Sequence, residues 1–183
     1  MMALYNFSEP LPMTATHPES APRIAASQKI TPSLWFDDRI EAAANFYVSV
    51  FEDSRILGLT RYPEGGPRPA GTVLTAQFEL AGLRFIAING GPHFKFTPAV
   101  SFTVHCTDQR EVDHYWTALT AGGGQESQCG WLTDRFGLSW QIVPDALVRY
   151  LGGKDAQKAA RVMAAMMQMR KIDIAALDRA YAG

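Results

Sequence analysis

The chain is poor in the features that would assign it quickly. Of its 183 residues only two are cysteine, Cys106 and Cys129, and they form no CxxC pair. That favours free thiols in a reducing, cytoplasmic setting, with a Cys106–Cys129 disulfide as the alternative. No run of about 18 apolar residues occurs, so no membrane span is expected. Charge of neither sign dominates: 17 Lys and Arg face 18 Asp and Glu, for a formal net charge of −1. A nucleic-acid partner, which would call for a basic face, is not expected. No glycine-rich turn leads from a strand into a helix. Gly122, Gly123 and Gly124 end a helix instead, and Gly90–Gly91 runs into Pro92. The anion cradle of a nucleotide-type site is therefore missing.

What is present is a core-forming composition, 47% hydrophobic, and a clear unit from Val100 to Pro144. Phe102, Val104 and Cys106 alternate with Ser101, Thr103 and His105, the period of a strand with two unlike faces. Asp108 and Glu111 then form a capping-box start. Val112, Tyr115, Trp116 and Leu119 fall on one helical face. Two short strands follow, Gln125–Leu132, broken near Gly130, and Leu138–Val143. A turn at Asp134–Gly137 joins them, and Pro144 ends the last strand for want of an N–H.

A looser copy lies upstream. Lys29–Phe36 reads as a strand. Asp38 and Glu41 repeat the helix start, and Ile40, Ala43, Ala44, Tyr47 and Phe51 repeat the apolar face. Three strands follow, within Arg55–Tyr62, Thr72–Leu80 and Leu83–Asn89. The repeated order of elements suggests an internal duplication. The expected division is residues 1–28 as a proline-spaced flexible leader without the pattern of a secretory signal, 29–97 as the first unit, 98–144 as the second, and 145–183 as a helical extension. In that extension Asp155 and Asp173 are helix caps. Val162, Met163, Met166, Met167 and Met169 form a soft apolar face, suited to core packing or to a subunit interface.

The segments CGWLTDRFGLSWQIVP, EVDHYW and INGGPHFKFTPAVSF, in that relative arrangement, resemble the PhnB-like branch of the vicinal oxygen chelate superfamily, whose members are often labelled 3-demethylubiquinone-9 3-methyltransferase. The resemblance covers roughly Lys29 to the C-terminus. It implies an α+β fold of two βαβββ modules forming a curled mixed sheet around a cup, with C-terminal helices added, and it implies a homodimer. It also implies that a metal, where relatives use one, is held from the first, fourth, fifth and eighth strands. Those positions here fall near Pro32, between Ala87 and Asn89, near Ser101 and on Gln141. Such donors do not hold a divalent ion, so the expectation is no metal and no cofactor. The methyltransferase label is disfavoured because the glycine-rich turn is missing.

The remaining expectation is a cup that binds a small, partly apolar molecule. Asn89, Ser101, Thr103, Ser139 and Gln141 are its candidate hydrogen-bonding groups, Trp131 a contacting ring, and Leu34, Phe36 and Phe85 its apolar walls. The alternative for the polar groups is that they satisfy one another. His105 is the one candidate general base, since imidazole titrates near neutrality. With it the protein could convert its ligand; without it, it would be a binding or sequestering protein.

Overall fold

The computed structural model describes residues 28–183, so the expected leader, apart from Gln28, lies outside the described residues. The first unit is β1 (Ser33–Phe36), α1 (Ile40–Val50), β2 (Arg55–Arg61), β3 (Val73–Leu80) and β4 (Leu83–Asn89). They make one four-stranded sheet in the order β1-β4-β3-β2. Strand β1 runs parallel to β4, and the other pairs are antiparallel. The pleat puts Leu34 and Phe36 on one face with Phe85, Ala87, Asn89, Ala76 and Phe78. Helix α1 buries Ile40, Ala43, Ala44, Tyr47 and Val50, and the same core takes in this strand face.

Two local readings change. Strand β1 begins at Ser33 rather than Lys29, because Pro32 has no N–H to donate and only its carbonyl enters the ladder, accepting from Ile86 at 3.0 Å. Helix α1 does not use Asp38 as a cap. It begins after Arg39, whose side chain makes no capping bond, and its first N–H, on Ile40, is taken by the Asn89 side-chain oxygen at 3.1 Å. The cap thus comes from the end of β4, not from the local sequence.

The second unit is β5 (Ser101–Cys106), α2 (Gln109–Thr120), β6 (Gln125–Glu126), β7 (Trp131–Thr133) and β8 (Ser139–Pro144), in the sheet order β5-β8-β7-β6. Here Asp108 caps the helix as read, and Glu111 reaches back one residue past the cap, to Thr107. The Asp108 carboxylate accepts from the Glu111 N–H at 3.0 Å, and the Glu111 carboxylate accepts from the Thr107 N–H at 2.6 Å. Strand pairing stops between β6 and β7 at Gly130, which has φ +83. A side chain there would meet the Ile142 carbonyl, to whose residue Gly130 is hydrogen-bonded. The fold is therefore α+β, with two mixed four-stranded sheets and C-terminal helices.

The helix-bearing faces of the two sheets share one core. The Tyr47 and Phe51 rings lie 5.7 and 5.3 Å from the Trp140 ring, and Phe85 meets Phe102 edge-on at 5.1 Å. At the centre is Asp134, 3% exposed. One carboxylate oxygen accepts from the Tyr47 hydroxyl at 2.8 Å and the Trp140 indole at 2.9 Å. The other accepts from the N–H groups of Phe136 and Leu138 at 2.8 and 3.1 Å. Burial pushes the Asp134 carboxyl above the ordinary range, with the four donors pulling the other way. Burial and the neighbouring carboxylate push the Tyr47 hydroxyl well up as well.

The chain ends in α3 (Asp145–Leu151), α4 (Ala156–Met166) and α5 (Ile174–Ala182). Asp155 and Asp173 cap α4 and α5 as read. Leu147, Val162, Ile172 and Leu177 form a second core, with Val143, Met166 and Met169 against it, while Met163 and Met167 face outward. The extension is tied to the second sheet by hydrogen bonds from Cys129 and Gly130 to the carbonyls of Met169 and Arg170, both 2.7 Å. Among the described residues no helix is long and apolar enough to cross a membrane.

Replacing Asp134 with Asn puts a donor where the carboxylate accepts, and should lower the unfolding free energy by about 2–4 kcal/mol. Tyr47→Phe should cost about 1–2 kcal/mol. A carboxyl whose pKa is raised by folding stabilises the fold below its unfolded pKa and loses that contribution as pH rises through its folded value. The wild-type advantage over Asp134→Asn, measured by urea unfolding, should therefore be larger near pH 4 than near pH 7. A smaller advantage at the lower pH would show that the four donors outweigh burial.

Candidate functional site

Packing one face of each sheet into the shared core leaves the opposite faces to be considered for function. Register fixes what lies on the second of these. Ser101 pairs with Ser139, Thr103 with Gln141 and His105 with Val143, while Trp131 also pairs with Gln141 and Thr133 with Ser139. Paired residues point to the same side of a sheet. Ser101, Thr103, His105, Trp131, Thr133, Ser139 and Gln141 therefore share one face, and Phe102, Val104, Cys106, Trp140 and Ile142 take the other.

The face is graded. At its centre the Gln141 amide donates to the Ser101 hydroxyl at 2.9 Å, so two of the candidate groups are in contact with each other. Toward β7, Trp131 and Thr133 line an open cleft of about 390 Å3 together with Cys129 and the edge of Ser139, which is otherwise buried, 2% exposed. Toward the outer edge of β5, Thr103 and His105 are exposed. They line a second cleft of about 360 Å3, walled by Leu80, Leu83, Phe85 and Tyr115. The structure thus brings Ser101 with Gln141, Trp131 with Ser139, and Thr103 with His105, but it does not gather all six around one cavity.

Asn89 is placed elsewhere. It lies on the helix side of the first sheet, 2% exposed. Its oxygen caps α1, and its amide nitrogen donates to the Val73 carbonyl at 2.9 Å. Both of its polar groups are thus committed within the fold. Leu34 and Phe36 are likewise core residues on that side, while Phe85, also part of that core, reaches a cleft only at the outer edge of β5. The open face of the first sheet instead carries Trp35, Ile86, Ile88, Thr75 and Gln77 by register. Strand β4 is apolar on both faces, Phe85 and Ala87 on one and Ile86 and Ile88 on the other. Periodicity alone could not choose between them. The signal available was the Ser33-x-Trp35 alternation of β1, whose register with β4 selects the Ile pair.

The donor chemistry does not suit a divalent metal. The second-sheet face offers hydroxyls, one amide and one imidazole. No group of three or more His, Cys, Asp or Glu side chains stands together among the described residues. Of the other thiols and imidazoles, Cys106 and His114 are committed within the fold, while Cys129 stays half-buried beside the β7 cleft. Cys106 is buried on the helix side, and burial pushes its thiol up to about 12, which leaves little thiolate at neutral pH. His114 is hydrogen-bonded to the Val50 carbonyl at 3.1 Å. Cys129 is half-buried, with its sulfur 3.7 Å from that of Met167. Gly122–Gly124 follows α2, and no glycine-rich turn joins a strand to a helix among the described residues. A Rossmann-type methyl-donor site therefore has no place here.

With this geometry in hand, the similarities to known proteins become informative. The sequence pattern of a family described as 3-demethylubiquinone-9 3-methyltransferase matches residues 28–143. Among solved structures, a putative 3-demethylubiquinone-9 3-methyltransferase, PhnB protein, from Bacillus cereus is 38% identical. The match covers 64% of this chain and 99% of that one, with a TM-score of 0.60. A protein from Pseudomonas aeruginosa is 20% identical over 65% of this chain and 100% of its own, with a TM-score of 0.53. A fosfomycin resistance protein, FosX, from Listeria monocytogenes is 15% identical over 64% and 93%, with a TM-score of 0.45. No curated protein shows a significant match in sequence.

Because both polar groups of Asn89 are used internally, Asn89→Ala should destabilise the fold by about 2–3 kcal/mol, from the lost cap and the stranded Val73 carbonyl. Thermal and urea unfolding check this. A loss below about 0.5 kcal/mol would show that water replaces the amide and that Asn89 is available for another task.

Proposed function

Given that the chain belongs to the 3-demethylubiquinone-9 3-methyltransferase family, the PhnB-like branch of the vicinal oxygen chelate superfamily, we propose that it binds a small, partly apolar organic molecule on the open face of its second sheet. The observation that carries this reading is the shared face of Ser101, Thr103, His105, Trp131, Ser139 and Gln141. Hydroxyl, amide, imidazole and indole groups lie side by side on a rigid sheet, with apolar clefts at both flanks. Few polar groups fixed among apolar walls are what small-molecule sites are made of. In this reading Ser101 and Gln141 orient the polar end of the ligand, Trp131 and Ser139 border it, and Thr103 and His105 close the far end. The site works without a protein-held divalent ion, because the face supplies no carboxylate and only one imidazole, with a single thiol, Cys129, at its flank.

The cup is completed by a second copy. Strands β1 and β5 are each one of the two outer strands of their sheet, the others being β2 and β6, so each unit has edges that can continue into another chain. The half-buried Ile86 and Ile88 of one copy would then supply the apolar wall facing the polar face of the other. The same reading takes residues 29–97 and 98–144 as the two modules and 145–183 as the extension. With two free thiols, Cys106 and Cys129, it places the protein in a reducing cytoplasm.

Two chemistries fit this site. If the protein converts its ligand, His105 is the group on the face that can move a proton near neutral pH. If it only holds the ligand, no titrating group is required. His105→Ala distinguishes them. It should abolish turnover on the converting reading; on the holding reading the unaltered protein shows ligand-dependent thermal stabilisation with no product formed. Native mass spectrometry of protein purified without chelators tests the frame of both. The expected result is a dimer mass with no metal increment. A monomer at micromolar concentration removes the shared cup, and one divalent ion per chain removes the metal-free reading.

A further inference from the structure

The GGPHFKF segment after β4 takes no part in the site proposed above, yet it builds a second cleft. Gly90 is there because of Trp35. A Cβ at residue 90 would fall inside the Trp35 indole, so only glycine lets the ring lie against the backbone. The indole N–H donates to the Gly91 carbonyl at 2.9 Å. Gly90 and Gly91 are themselves hydrogen-bonded to the carbonyls of Phe36 and Asp37 at 2.9 and 3.1 Å. The ring is thus fixed before any ligand arrives. Phe94 stands edge-on to it at 5.0 Å although Phe94 is 65% exposed. Phe96 and Phe136 flank Phe36 edge-on, at 5.1 and 6.2 Å.

Two cations reach this aromatic cleft. Arg39 holds its guanidinium 5.4 Å from the Phe136 ring centre. Lys95 lies between Phe94 and Phe96 in sequence and lines the same cleft. Neither side chain has an ion-pair or hydrogen-bond partner among the described residues, whereas Arg55, Arg61, Arg84, Arg110, Arg170 and Lys171 are all paired. Asp37 also lines the cleft, leaving an excess of one positive charge at its mouth. The cleft measures about 340 Å3, near the lower end of the roughly 300–1,000 Å3 typical of small-molecule sites.

We propose that this cleft is a binding site for a small planar aromatic anion. The ring system would rest against Trp35, Phe94 and Phe136, and a carboxylate would meet Arg39 and Lys95. Aromatic walls favour a flat apolar body, and a guanidinium is the side chain best matched to a carboxylate fork. The exposure of Phe94 beside a pinned indole is otherwise unexplained, because a ring of that size gains most from being covered.

The test is calorimetric titration of the full chain with 2-naphthoate, and with 2-naphthamide as its uncharged counterpart. Saturable binding of naphthoate with a Kd of roughly 1 mM or tighter is expected, with the amide binding more weakly. The Arg39→Gln, Lys95→Gln double variant should weaken naphthoate binding about tenfold or more and bring it to the level of the amide. Its melting temperature should hold, since both side chains are exposed. Trp35→Leu should weaken naphthoate and naphthamide alike. Gln141→Ala, on the second-sheet face, should leave both unchanged, so the two sites succeed or fail separately. No saturable binding, or naphthoate affinity unaltered in the double variant, would overturn the proposal.

Discussion

The buried carboxylate of Asp134 is the constraint on which the arrangement of the two units depends. It sits in the short turn between β7 and β8, yet it accepts a proton donor from α1 of the first unit as well as three from its own. A buried carboxylate is costly unless its acceptor sites are filled. The network can be completed only when the first unit brings Tyr47 to the Trp140 indole. Hydrophobic contact alone would bring two apolar faces together in many ways. The directional demand of Asp134 selects one, and the aromatic pairs of Tyr47, Phe51, Phe85, Phe102 and Trp140 settle around it.

This choice has a consequence at the opposite faces of the sheets. Once the helix-bearing faces share one core, the polar face of the second sheet and the Trp35–Ile86–Ile88 face of the first are not turned toward that core. They differ in composition: one has orienting groups with apolar clefts only at its flanks, the other has apolar wall and few orienting groups. Their complementarity in composition, together with the open edges of β1 and β5, is the physical argument for a cup built from two copies.

Much of this could be read before any coordinates. The second unit was legible nearly residue by residue because local signals agree: the alternation of β5, the Asp108–Glu111 box, the apolar stripe of α2 and the Asp134–Gly137 turn. The parity of β5 and β8 followed from the same alternation. The first unit was less legible for reasons that can be named. Its helix cap is Asn89, distant in sequence, so the Asp38–Glu41 pattern pointed to a box that the fold does not use. Its strand β4 is apolar on both faces, so Phe85 and Asn89 were assigned to the cup although the core claims them. Asp134 looked like an ordinary turn residue. Nothing in the local sequence reports that a tyrosine 87 positions upstream donates to it.

The family description and the geometry speak to different things. Membership follows from the match over residues 28–143, but a methyl transfer needs a place for the methyl donor, and a fold determines architecture rather than chemistry. The open face of the second sheet supplies hydrogen-bonding groups in fixed positions and a single imidazole at its edge. Fixed hydroxyls and amides can orient a ligand and select it by shape, and they cannot by themselves move a proton at neutral pH. The distinction between converting a ligand and holding it therefore narrows to His105, exposed at the end of β5 in one chain.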